Sequence, residues 1–164
     1  MIFCGKKKSG KTHLVKEYLD TYFAGLPRLI NDVNNEYGVG LPPPPEEFIK
    51  RSLNFKQGVV VYEEATSMFG YQRDDTTAQV MTRSRHTGVS IIFCFHSISD
   101  IPRYIARNSD FLVLFKTGDV LTDVASKFGR GNTKVINAFL ELQKADLLKT
   151  PSGVEYSPKK ITEL

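Results

Sequence analysis

Residues Gly5-Lys-Lys-Lys-Ser-Gly-Lys-Thr12 stand directly behind the short apolar run Met1-Ile-Phe-Cys4, and no other stretch constrains this chain as much. In a Gly-x4-Gly-Lys-Thr loop the glycines let the chain wrap a phosphate with successive backbone N–H groups pointing inward. Lys11 is then placed to reach the β- and γ-phosphates, and Thr12 to offer its hydroxyl to Mg²⁺. Thr12 to Ala24 carries Leu14, Val15, Tyr18, Leu19, Tyr22 and Phe23 at near-helical spacing, so the loop opens a helix and the phosphate meets its N-terminus. The expected ATP site is Gly5, Lys6, Lys7, Lys8, Ser9, Gly10, Lys11, Thr12 and His13.

Five strand candidates alternate with helical or loop segments: Met1–Cys4, Arg28–Val33, Val59–Tyr62, Val89–Phe95 and Phe111–Phe115. This alternation predicts an α/β fold, a three-layer sandwich around a mostly parallel central sheet. Helices are expected at Asp75–Arg85, Asp119–Phe128 and Thr133–Leu142. Asn34 to Pro45, with Gly38, Gly40 and four consecutive prolines, reads as a stiff connector or a partner-docking tract, and as neither helix nor central strand. Leu147 to Tyr156 reads as a hairpin turning at Pro151-Ser-Gly153. A chain of 164 residues, 41% hydrophobic, suits a single domain, here with a core over about residues 1–118 and a small helical and hairpin appendage over about 119–164.

The second nucleotide signal is Gly58-Val-Val-Val-Tyr-Glu-Glu-Ala65, an apolar strand ending in two acids. In a Walker B strand the first carboxylate supports Mg²⁺ and the second polarises the attacking water. Glu63 takes the metal position, where aspartate is usual, and Glu64 the base position. His96 closes the strand Val89–Phe95; if that strand lies between the loop strand and the Glu63-Glu64 strand, His96 becomes a sensor beside the γ-phosphate.

A neighbouring subunit's arginine is worth about 10³–10⁵ in rate in ATPases that use one. Arg83 and Arg85 are the first choice for that role, ahead of Arg103 and Arg107. The two cysteines, Cys4 and Cys94, fall inside apolar runs and read as packing residues. The net charge of +4 owes much to Lys6, Lys7, Lys8 and Lys11, so charge says little about DNA. No apolar run approaches a membrane span and no leader pattern stands at the N-terminus, which points to the cytosol.

Taken together, Gly5–Thr12, Glu63-Glu64, Arg85-His86-Thr-Gly88 before an apolar strand, and the polar residue closing that strand resemble the FtsK–HerA superfamily of P-loop ATPases. The likeness is strongest to its small viral branch, the genome-packaging ATPases of double jelly-roll viruses, and covers Met1 to Phe115. Asn31-Asp32 and Asn35-Glu36-Tyr37 also look like the acidic-aromatic element that follows the second strand there, while His96 stands where the family commonly has glutamine. The resemblance implies a Mg²⁺-dependent ATPase assembled as a homo-oligomeric ring, usually a hexamer, that threads duplex DNA. It further implies a capsid or portal partner, and a place in the host cytoplasm or on the virion. The phage-assembly ATPases similar to zonula occludens toxin share the Arg-His-Gly step but typically carry a membrane span, so packaging is preferred over extrusion.

Two readings from other classes compete. A small P-loop kinase would share the loop, sheet and size, but needs no water-activating glutamate and normally has an arginine-rich lid. A docking module that binds ATP without turnover is motivated by the glutamate at position 63. A GTPase is disfavoured because no Asn-Lys-x-Asp motif occurs; Asn132-Thr-Lys134 only echoes it.

Overall fold

The computed structural model describes residues 1–70, 75–149 and 155–164. Six strands form one sheet in the order β2-β3-β4-β1-β5-β8, built from β1 (Ile2–Cys4), β2 (Arg28–Asn31), β3 (Gly58–Tyr62), β4 (Val89–Phe95), β5 (Phe111–Phe115) and β8 (Lys159–Glu163). The first five run parallel and β8 runs antiparallel to β5. β4 does lie between β1 and β3, the arrangement on which the sensor reading of His96 depended.

Period-two alternation sorts the strand side chains cleanly onto two faces. Phe3, Ile30, Val59, Val61, Ile92, Cys94, Val113 and Phe115 share one face with Leu14, Val15 and Leu19 of α1 (Lys11–Tyr22). Ile2, Cys4, Val60, Tyr62, Phe93, Phe95, Leu112 and Leu114 share the other. That second face is covered by α2 (Pro45–Asn54), α3 (Asp75–Thr87), α4 (Arg103–Asn108), α5 (Leu121–Phe128) and α6 (Thr133–Lys144). Three layers result, as the sequence implied. Cys4 and Cys94 are both buried and free, and they point to opposite faces of the sheet, which rules out a bond between them.

The aromatic centre of the second face is Tyr62. It stacks on Phe93 at 5.4 Å and meets Phe48 and Phe69 edge-on. Phe93 is fully buried, so Phe93→Ala removes its ring contacts with Tyr62, Phe69 and Phe95 and a large volume; a loss of about 3–5 kcal/mol is expected. Urea unfolding would read this as a lower midpoint with an unchanged slope.

Several elements depart from the expectation; α4, between β4 and β5, was not among the expected helices. The proline run does not stay outside regular structure: Pro45 occupies the first position of α2, where its missing N–H costs nothing, with Glu46 and Glu47 in the first turn. Only Phe48 of that helix is buried, so hydrophobic periodicity was faint. β2 stops at Asn31 rather than Val33, because the Asp32 carboxylate turns the chain by accepting the Glu36 and Tyr37 amides at 2.6 and 2.8 Å. β8 was not anticipated at all; its charged, alternating Lys-Lys-Ile-Thr-Glu is the dress of an edge strand.

The C-terminal helices form as expected, and the hairpin pairs β6 (Leu148–Lys149) with β7 (Glu155–Tyr156); its turn at Pro151-Ser-Gly153 lies outside the described residues. β8 ties this segment to the central sheet, while Val124, Val135, Phe139 and Leu142 join the core of the second face. Among the described residues, no helix is long and apolar enough to cross a membrane.

Candidate nucleotide site

In a parallel sheet the carboxyl ends of all strands open on one side, and the chain places its polar strand-end residues there. Gly5 follows β1, Asp32 follows β2, Glu63 and Glu64 follow β3, and His96 follows β4. Alternation continues past the strand ends, so Glu63 falls on the side of Val59 and Val61, and His96 on the side of Cys94, both facing α1 and the loop before it. A cleft of about 370 Å³ lies among Lys7, Lys11, Thr12, Glu63, Glu64 and His96, and also takes in Lys8, Ser9, Gly10, His13, Asn34, Glu36 and Cys94.

The two glycines of the loop are required for different reasons. A Cβ on Gly5 would sit 2.5 Å from Phe115 Cβ and 2.9 Å from Ser9 Oγ, because the loop rests on the ring under it. Gly10 has φ +94°, a left-handed conformation that side chains resist, and as the N-cap it offers α1 no capping side chain. The first-turn amides of α1 are thereby left to an anionic ligand.

Lys11 is buried and its ammonium donates to Gly5 O at 2.6 Å, to Lys6 O at 3.2 Å and to His96 Nδ1 at 3.3 Å. A lysine ammonium only donates, so Nδ1 must accept and the proton of a neutral imidazole sits on Nε2. Nε2 in turn lies 2.8 Å from both carboxylate oxygens of Glu64. Lys11, His96 and Glu64 thus form one chain of hydrogen bonds across the cleft. Glu64 holds φ 56°, ψ 44°, a left-handed conformation for a non-glycine residue, which costs on the order of 1–3 kcal/mol and tends to persist at functional sites.

Glu63 is oriented separately. Thr12 Oγ1 donates to its Oε1 at 2.8 Å, and Asn31 Nδ2 donates to its backbone carbonyl at 2.8 Å. Its second oxygen, Oε2, is buried without a hydrogen-bond partner. A buried, unmatched carboxylate oxygen beside a threonine hydroxyl is the hard oxygen donor set that suits Mg²⁺. The longer glutamate side chain therefore reaches the threonine that the shorter aspartate normally serves. Burial, followed by the Glu63 carboxylate, pushes the neighbouring Cys94 thiol well above its ordinary range, so Cys94 stays a neutral packing residue at the cleft floor.

Most of the residues expected from the sequence do converge here. Lys6 does not line the cleft; its side chain extends toward Gly118 in the β5–α5 loop. Arg83 and Arg85 do not reach the cleft within this chain. Arg83 bonds to Leu53 O at the end of α2, and Arg85 borders a second cleft with Met1, Val89 and Phe111, at the opposite ends of the strands. Asn34 and Glu36 line the site without having been singled out as ligands. Their signal was Asp32, whose short acid at a strand end predicts the turn that presents them.

No family model matches the chain, and no curated protein matches it in sequence. Solved structures do match in fold. The genome-packaging NTPase B204 of Sulfolobus turreted icosahedral virus 2 in complex with ATP-γ-S superposes with a TM-score of 0.72 at 18% identity, over 98% of this chain and 94% of that one. Its complex with AMPPCP gives 0.67 at 18% identity, over 84% and 86%. B204 described as the DNA-packaging ATPase of Sulfolobus turreted icosahedral virus gives 0.67 at 17% identity, over 82% and 84%. The mixed α/β architecture is therefore that of a P-loop ATPase fold, in line with the resemblance read from the motifs.

Proposed function

We propose that this chain is an ATP-hydrolysing motor that moves DNA, in the manner of a viral genome-packaging ATPase. The observation that carries the hydrolytic part is the bonded series Lys11–His96–Glu64 beside the Thr12–Glu63 pair, on the loop side of one cleft. A kinase would have no use for a second carboxylate held at that position, and a docking module no use for a strained one. The DNA part and the viral setting draw on the fold neighbours, whose names include genome packaging.

ATP would enter with its phosphates over the first turn of α1 and the loop amides. Lys11 now spends its protons on Gly5 O, Lys6 O and His96, so binding transfers at least one of these donors to the phosphate. Glu64 orients a water in line with the γ-phosphorus and accepts its proton as the new O–P bond forms and the bond to the β-phosphate oxygen breaks. ADP, inorganic phosphate and a proton are the products. His96, with its Nε2 proton on Glu64, fixes the base and keeps its other face on Lys11, so it registers whether the lysine has moved to the phosphate. Thr12 and Glu63 would hold Mg²⁺, which when bound neutralises charge on the β- and γ-phosphates.

In such a motor the subunits form a homo-oligomeric ring, with a hexamer the first expectation, around double-stranded DNA. Arg83 and Arg85 then act on a neighbour's site, since they stand away from their own. A capsid or portal protein completes the partner set, in host cytoplasm or on the virion. The test is phosphate release from ATP and Mg²⁺ by the wild type, with and without duplex DNA. Stimulation by DNA is expected; ATP binding without turnover under every condition would instead establish the docking module.

A further inference from the structure

His96 is bracketed by two backbone anchors. On its N-terminal side, Phe95 O accepts the Gly5 amide at 3.1 Å, which couples the end of β4 to the start of the phosphate loop. On its C-terminal side the turn Ser97–Ser99 is bonded to a single carboxylate, Asp119, which comes from the loop between β5 and α5. Asp119 Oδ2 accepts the Ile98 amide at 2.8 Å, and Oδ1 accepts the Ser99 amide at 3.1 Å and the Ser97 hydroxyl. The Ser99 hydroxyl lies 2.6 Å from Ser97 Oγ and closes the cluster. Burial alone would raise the Asp119 carboxyl, but the Ser97 hydroxyl and the Ile98 and Ser99 amides outweigh it and hold the group below the usual carboxylate range. Ile98 and Ile101 are fully buried, so the turn has little freedom of its own.

The same β5–α5 loop touches the phosphate loop directly. Phe115, at the end of β5, lies under Gly5, and a Cβ on Gly118 would stand 3.4 Å from Lys6 Cε. One short stretch, Phe115 to Asp119, therefore supports both the loop that binds phosphate and the turn that carries His96.

We propose that Asp119 is a positioning residue for His96: by fixing the Ser97–Ser99 turn it sets the imidazole between Lys11 and Glu64, and so acts on turnover through His96. The assignment rests on the hydrolytic reading above. Three donors converge on Asp119 and only a carboxylate can accept them all; a carboxamide in its place has one accepting oxygen and turns an NH₂ toward a donor.

The experiment is a double-mutant cycle of Asp119→Asn and His96→Ala on the full chain, read by phosphate release. Alone, Asp119→Asn should lower kcat roughly 10–100-fold, the size typical of residues that orient a functional side chain from behind. KM for ATP should stay within about twofold, and in the His96→Ala background the further loss should be no more than about twofold, the non-additivity expected of coupled residues. Losses that multiply would overturn the proposal, because Asp119 would then act independently of His96. Ser97→Ala, which removes one arm of the cluster, runs through the same cycle with the same two outcomes should Asp119→Asn fail to fold. If the wild type turns over no ATP, the hydrolytic reading fails by itself, and the ring ¹⁵N shifts of His96 decide the positioning role. They should report Nε2–H with an accepting Nδ1 in the wild type and lose that signature in Asp119→Asn; an unchanged spectrum would overturn the proposal.

Discussion

Glu64→Gln is expected to lower phosphate release by about 10²–10⁴-fold, the contribution of a positioned general base, while leaving ATP binding nearly intact. Glutamine has the same length and can still accept the Nε2 proton of His96, so the chain of bonds to Lys11 survives and the strained backbone at position 64 is undisturbed. What disappears is the basic oxygen that takes the water proton. Turnover measured by phosphate release, alongside binding of a fluorescent ATP analogue, separates the two effects. A variant that hydrolyses within a few-fold of the wild type removes Glu64 from the role of base.

Lys11→Ala should behave differently, losing affinity and rate together. Removing a preorganised donor from developing charge typically costs about 10²–10³ in rate, and here the same group also binds the ground-state phosphate. There is a second cost, since Gly5 O and Lys6 O lose the buried ammonium that now satisfies them, and the loop that depends on it loosens. Lys11→Ala should therefore show a raised KM as well as a lowered kcat, whereas Glu64→Gln should show kcat alone. Equal KM in the two variants would mean that the lysine does not hold the phosphates.

Local chemistry and alternation together made most of the site readable from residues alone. A glycine-lysine-threonine loop between strand and helix leaves few geometries open, and period two carries Glu63 and His96 to the loop side once β4 is placed beside β1. What stayed hidden were contacts made across sequence distance. Asp119 is an ordinary acid near a helix start until the fold brings the Ser97–Ser99 turn against it, twenty residues and more away in the chain. α2 was obscured by the prolines before it, because a single buried phenylalanine is too thin a periodic signal. β8 was obscured by its charges, which report the solvent beside an edge and say little about the strand it pairs with.

That edge has a consequence for how the chain reaches its fold. Phe111-Leu-Val-Leu-Phe115 is uncharged and rich in β-formers, the composition that pairs readily with other chains. One of its edges is taken by β1, while the other is covered only when Lys159–Glu163 arrives, after everything from 116 to 158 has been made. During synthesis this adhesive strand therefore waits with one side open. Its protection comes some forty residues later in the chain, as a strand whose lysines and glutamate keep the finished edge from recruiting a stranger.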